Sequence, residues 1–278
     1  MPGKRHDIRL TNLAVGYGGT PVVSDVNVTL PGGKITVILG GSGCGKSTLI
    51  KHILRLHDPL SGAIHIGPHN IMELTRRQWA CLKLRLGLLF QDGALLGSLT
   101  LGDNVALPLR EHTRLKPREA YELAVSKLAL VGLEKFAHLY PNQLSGGMRK
   151  RAGLARAMVM DPAVLFCDEP TSGLDPINSA ELDQLLLELK ERFDITVVVV
   201  SHDLASMRTI ADHVVVLGEG RVLFDGSRDE LEATRDDYLR RFLDRLAQER
   251  TAPRLSTSRL DPSLLKMDCS ELWEQIQE

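Results

Sequence analysis

The chain has 278 residues, 43% of them hydrophobic, which is enough for a sizeable core in one large or two modest domains. Its 34 basic and 35 acidic residues leave a formal net charge of −1, unlike the strongly basic footprint of a nucleic-acid-binding domain. Cys44, Cys81, Cys167 and Cys269 form no CxxC pair or zinc pattern, so they read as reduced cytosolic thiols.

The N-terminus MPGKRHDIRL lacks an apolar signal core, which argues against secretion. The stretch from Asp7 to Leu39 alternates apolar and polar residues between Gly and Pro turns and predicts several short antiparallel strands. The last of these, Ile35–Leu39, runs into GGSGCGKSTL and a helix through His52 to Leu56. From Ile71 to Met160 the spacing of apolar residues predicts mainly helices, broken at Pro117 and Pro141. AVLFC (163–167) and ITVVVV (195–200) are continuously apolar and of the length of buried parallel strands, with a helix over SAELDQLLLELKERF between them. A third strand, HVVVLGEGRVLF, closes the α/β region. Beyond Gly226 one helix, SRDELEATRDDYLRRFLDRLAQ, places Leu231, Tyr238, Phe242 and Leu246 near one face. After a Ser/Thr/Pro/Arg-rich break at 251–259, a second helix starts at Asp261–Pro262 and carries Leu264, Leu265, Leu272, Trp273 and Ile276. No segment approaches the ~20 apolar residues that span a bilayer, so the chain reads as soluble by itself. Strand–helix alternation with a helical interruption predicts an α/β core with an inserted helical subdomain.

GGSGCGKST (40–48) fits GxxxxGK[ST] after a strand and before a helix, the context that this motif requires. Gly40, Gly41, Ser42, Gly43, Cys44 and Gly45 can wrap phosphates, and Thr48 lies in the helix start that adds partial positive charge. Lys46 can reach the β- and γ-phosphates, and Ser47 can ligate Mg²⁺. In AVLFCDEP, Asp168 is placed to hold Mg²⁺ and Glu169 to polarise an attacking water, although DE alone could be an acidic strand-end cap. His202 ends the next apolar strand, and a parallel sheet would bring it beside the P-loop to donate to a γ-phosphate or the water. Gln91, after LGLLF, can touch metal and water, but an isolated Gln is usually surface. Tyr17 could stack on adenine or plug the edge of the β-layer.

Tyr17, the P-loop, Gln91, LSGG at 144–147, DE at 168–169, SGLD at 172–175 and His202 occur in an order that resembles the ATP-binding cassette (ABC) family over roughly residues 6–245. The resemblance implies a P-loop NTPase core with an antiparallel β subdomain, a helical subdomain over about 92–160 and a C-terminal extension over 246–278. It implies ATP and Mg²⁺ as ligands, with Ser47, Gln91 and Asp168 at the metal and Lys46, Gln91, Glu169 and His202 in catalysis. It also implies a head-to-tail dimer enclosing two ATPs, in which Ser145, Gly146 and Gly147 of one subunit face the γ-phosphate on the other's P-loop. Asp175 lies at that interface. A second phosphate loop without a second P-loop makes sense if it completes a site in trans, with hydrolysis dependent on closure.

FQDGAL, SLT and NVALPLREH, with LSGGM and DEPTSGLDPI, are similar to cassettes of the MlaF/Mkl type. That similarity implies an integral-membrane permease partner, an MCE-type lipid-binding protein, lipid transport and a peripheral position on the cytoplasmic face of the cell membrane. Amino-acid or lipoprotein-type cassettes are the nearest alternatives. A cassette acting on DNA is disfavoured because about a hundred residues without sustained heptads separate P-loop and signature, and one acting on ribosomes because the chain carries a single cassette. Met148 replaces the usual Gln and removes an amide without touching the backbone donors. Arg149, Lys150 and Arg151 could be phosphate ligands, but a solvated helix face or pairing with nearby acids is preferred, since cations at a helix start oppose its dipole. The tail reads either as an arm that stabilises the dimer or docks a partner, or as a helix packed on its own subunit.

Overall fold

A computed structural model describes residues 7–251, with side chains described to residue 244. Strands β1 (Ile8–Tyr17), β2 (Thr20–Leu30), β3 (Ile35–Leu39) and helix α1 (Lys46–Ile53) are followed by β4 (Ser61–Ile66), β5 (His69–Asn70), α2 (Arg76–Lys83) and β6 (Leu86–Leu89). Helices α3 (Leu101–His112), α4 (Pro117–Leu130) and α5 (Gly146–Met158) form the insertion. The chain returns through β7 (Val164–Asp168), α6 (Pro176–Phe193), β8 (Thr196–Ser201), α7 (Leu204–Ile210), β9 (His213–Gly218) and β10 (Arg221–Ser227) to α8 (Arg228–Glu232) and α9 (Asp237–Thr251).

The first sheet, β2-β1-β4-β5, is antiparallel. The second has the order β10-β9-β3-β8-β7-β6, parallel from β9 to β6 with β10 antiparallel at its edge. Its parallel strands β3, β7, β8 and β9 are mainly apolar and buried because both faces are covered, whereas the edge strand β10 is half-exposed. Ile38, Phe166, Val198, Val200 and Val215 pack toward the antiparallel sheet and α1, whereas Val37, Leu39, Leu165, Cys167, Val197, Val199 and Val216 pack on the helical side. Successive residues of each strand thus enter different cores.

Several boundaries differ from the sequence reading. The expected third strand is a hairpin, β9 and β10, turning at Glu219 (φ 51°) and Gly220 (φ 71°). Two successive positive φ values suit the right-handed twist of the paired strands. Strand β6 interrupts the expected helical region; four residues of LGLL carry too little periodicity to separate strand from helix. Strands β4 and β5 were not anticipated either. Helix α1 stops at Ile53 instead of Leu56, because Arg55 is left-handed (φ 49°). The expected helix after Gly226 breaks at 233–236, which resets its phase. Leu231, Leu239, Phe242 and Leu243 therefore face the core, and Tyr238 is exposed. The side chain of Leu246 and the helix expected from Asp261 lie outside the described residues.

Strand register aligns the site. Leu39 pairs with Ser201, Val200 with both Ile38 and Asp168, and Cys167 with Leu89. Four parallel strands thus end at nearly one level and release the P-loop, His202, Glu169 and the Gln91 segment along one edge, where α/β sheets bind ligands.

Candidate nucleotide site

The P-loop joins β3 to α1. Gly43 (φ 81°) and Gly45 (φ 102°) have backbones that side chains rarely adopt. A Cβ on Gly40 would lie 2.6 Å from the Leu217 carbonyl, so the first glycine is fixed by close packing. The N-cap of α1 is Gly45, with no side-chain cap and no acid in the first turn. Its first N–H groups are therefore available to an anion, and Ser42 and Gly43 above them are exposed. Lys46 is buried, and its Nζ donates to the Gly40 carbonyl at 2.8 Å and the Gly41 carbonyl at 3.0 Å. These features fit a polyphosphate.

Ser47 Oγ donates to Asp168 Oδ1 at 2.9 Å, joining the start of α1 to the end of β7. Burial pushes the Asp168 carboxyl up, opposed by this hydrogen bond. Among the described residues no cluster of three or more His, Cys, Asp or Glu could cage a metal. One hydroxyl and one carboxylate suit Mg²⁺, which keeps waters and takes phosphate oxygens for the rest.

Glu169 is the centre of the polar network. Its Oε2 accepts from His202 Nδ1 at 2.8 Å, and its Oε1 lies 3.7 Å from Lys46 Nζ. The Glu169 bond raises the His202 pKa, partly offset by burial. Glu169 itself has φ 50°, an uncommon conformation for a non-glycine residue. Its N–H donates to the Val200 carbonyl at 2.9 Å.

The remaining expected residues surround this cluster. Gln91 is exposed, two residues past the end of β6. Tyr17 is exposed at the end of β1, with its ring centroid 5.1 Å from His57 and 5.9 Å from His52. Ser145 and Gly146 are exposed at the start of α5, where Ser145 Oγ caps the helix by accepting from Met148 N at 3.2 Å. Among the described residues no hydrogen bond links Ser145, Gly146 or Gly147 to the P-loop of the same chain. Asp175 Oδ1 accepts from Ile177 N and Asn178 N, both at 3.1 Å, and so starts α6. Met148 packs its side chain against the helical-side core.

The basic run departs from expectation at one residue. Arg151 pairs with Glu181, the acid partner anticipated, and Arg149 donates to the Leu144 carbonyl at 2.7 Å. Lys150, expected on a solvated face or beside an acid, is buried and donates to the carbonyls of Glu169, Pro170 and Ser172. Three further residues escaped the sequence reading. Buried His52 places Nδ1 2.8 Å from the Thr48 carbonyl and Nε2 3.2 Å from that of Gly16, so it ties the Tyr17 strand to α1. Asn104 holds the loop before α3, and Arg156 donates to the carbonyls of Gly93 and Ala94, both at 2.8 Å. His52, Asn104 and Arg156 had no sequence signal, because each acts on backbone outside its own helix.

Residues 23–172 match the family described as ABC transporter. The chain is 41% identical over 236 residues, 85% of its length, to the probable ribonucleotide transport ATP-binding protein mkl of Mycobacterium tuberculosis, and spans 66% of that relative. It is 40% identical over 240 residues to the intermembrane phospholipid transport system ATP-binding protein MlaF of Escherichia coli, covering 86% of this chain and 89% of MlaF. Among solved structures, a dimeric ATP-binding cassette in a post-hydrolysis state with ADP and Pi superposes with a TM-score of 0.73 at 32% identity, covering 79% of this chain and 98% of the other. A cassette from Clostridium perfringens, part of the ABC transporter complex cbiONQ, gives 0.76 at 29% identity, over 90% of this chain and all of that one. With the P-loop, the Asp168–Glu169 pair, His202 and the LSGG helix start in these positions, the chain belongs to the ABC transporter family.

Proposed function

We propose that this chain is the ATP-hydrolysing subunit of a lipid transporter, working as a dimer around two ATPs on the cytoplasmic face of the cell membrane. The observation that carries the hydrolytic reading is the Glu169 carboxylate held between His202 Nδ1 and Lys46 Nζ at the ends of adjacent strands.

In this reading Lys46 leaves the Gly40 and Gly41 carbonyls to bind the β- and γ-phosphates, with backbone amides of the P-loop and of the first turn of α1 around them. Tyr17 stacks on the adenine. Ser47, Asp168 and Gln91 hold Mg²⁺, which supplies charge stabilisation on the phosphate oxygens. Glu169 takes the proton of the attacking water, and His202, donating to Glu169, orients the carboxylate. Ser145 and Gly146 are exposed and Gly147 is half-buried beside them; the three serve the ATP held by the second copy, so each site is complete only in the dimer. Asp175 lines the same interface. The catalytic body is residues 6–245, with 246–278 as an extension.

No described helix is long and apolar enough to cross a bilayer, and in this reading an integral-membrane permease supplies the path. A cleft of about 580 Å³ beside the Gln91 segment is lined by Cys81, Phe90, Pro108, His112 and Arg156 among others, and it suits a docking segment of an integral-membrane permease. The likeness to MlaF favours phospholipid cargo with an MCE-type lipid-binding protein, and the name carried by mkl favours ribonucleotides. Co-purification from detergent-solubilised membranes, followed by identification of bound lipid, tests this. Recovery of a permease with phospholipid supports it. Recovery with ribosomes or DNA, or of a permease without lipid, contradicts it.

A further inference from the structure

Helix α5 begins with the signature residues Ser145–Gly147 and carries two cations that point inward. Lys150 is 5% exposed, and its Nζ donates to the carbonyls of Glu169 (3.2 Å), Pro170 (2.8 Å) and Ser172. An ammonium has three hydrogens, and here three carbonyls receive them. The segment it holds starts with the left-handed Glu169, whose carbonyl also accepts from Ser172 N at 3.2 Å. A non-glycine residue keeps such a backbone only where its surroundings over-determine it. The Val200 carbonyl fixes Glu169 from one side and Lys150 from the other.

Farther along the helix, Arg156 holds the carbonyls of Gly93 and Ala94, both left-handed, in the loop after Gln91. A Cβ on Gly153 would lie 2.8 Å from Gly93 Cα, so helix and loop touch backbone to backbone. At the other end, Gly147 sits against Asn178 and Leu174 of the segment that follows Ser172. One helix is therefore bonded to both loops flanking the site, while its first residues face outward.

We propose that Lys150 is a positioning residue for Glu169: it sets the backbone that aims the carboxylate, and it ties each subunit's base to the helix that completes the partner's site. This rests on the reading of Glu169 as the base and of a composite dimer. Lys150 directs its ammonium to the carbonyls of Glu169, Pro170 and Ser172 and acts through the 169–172 backbone.

The test uses the full chain. K150M keeps the length and apolar stem of the side chain and removes every donor. Loss of alignment at the base predicts a fall in kcat of about tenfold to a hundredfold, with the KM for ATP changed by less than about threefold. K150Q, which retains an amide donor, should recover part of the loss. Mixed dimers then locate the effect. With E169Q in the other subunit, the only base belongs to the K150M subunit, and activity should be at least about tenfold below that of a dimer carrying both changes in one subunit. Equal activities in the two arrangements, or a greater loss in the second, would overturn the proposal. If K150M does not fold, K150Q takes its place in both arrangements: a smaller difference of the same sign is expected, and equal activities or the opposite sign would overturn the proposal. Wild-type turnover by the E169Q homodimer would instead overturn the reading of Glu169 as base.

Discussion

Glu169→Gln separates chemistry from binding. The side chain is 13% exposed and is held between His202 Nδ1 at 2.8 Å and Lys46 Nζ at 3.7 Å. An amide fills the same volume and can still accept from His202, but it cannot take a proton from water. General-base catalysis contributes about 10²–10⁴-fold, which corresponds to roughly 3–5 kcal/mol of barrier at ~1.4 kcal/mol per tenfold. Lys46 keeps its bonds to the Gly40 and Gly41 carbonyls and loses a competing carboxylate, so ATP affinity should hold or rise. Steady-state ATPase assays should show kcat down by about 10²–10⁴, and size exclusion with ATP should show an accumulated dimer. A kcat within about threefold of wild type would refute the assignment of Glu169 as base.

Three other outcomes follow from the same contacts. Because the Glu169 bond raises the pKa of His202 above the ordinary imidazole value of 6.5, its stabilising contribution is full below that value and is lost as pH rises through the folded-state pKa. The difference in melting temperature between wild type and His202→Ala should therefore shrink with rising pH, and a pH-independent difference would contradict the pairing. Asn104 is fully buried, its two Nδ2 hydrogens shared among the carbonyls of Leu96, Leu99 and Thr100 while its Oδ1 accepts from Leu96 N at 2.7 Å. Asn104→Ala should cost about 2–3 kcal/mol in urea unfolding. Gly153→Ala gains ~1 kcal/mol of helix propensity, but its Cβ would meet the Gly93 backbone at 2.8 Å and 3.0 Å. Overpacking of about 1–3 kcal/mol should prevail, read as a lower denaturation midpoint.

Strands β7 and β8 were legible as parallel because burial on both faces leaves runs such as TVVVV, and the P-loop because glycines, lysine and hydroxyls sit at fixed offsets between strand and helix, whereas β3, expected as the last antiparallel strand, pairs in parallel with β8 and β9. Strand β6 was not legible, since four residues carry almost no periodicity, and the β9–β10 hairpin turned on a Glu-Gly pair that gives no strong turn signal. At the site, side chains that would touch ATP could be named from local motifs. Those that hold loops could not. Lys150 looks like one of three surface cations in sequence, and only the return of the chain through β7 puts three carbonyls around its ammonium. Asn104 and His52 likewise act on backbone contributed by other segments.

The composite site is tested most directly by mixing two inactive subunits. Ser145→Arg spoils the exposed signature loop and leaves the P-loop intact, whereas Lys46→Ala does the reverse. Each homodimer should be inactive. If signature and P-loop meet between subunits, the mixed dimer contains one working site, and ATPase activity should reappear on mixing. No recovery, with both variants folded and dimeric, would contradict completion of each site by the neighbouring subunit.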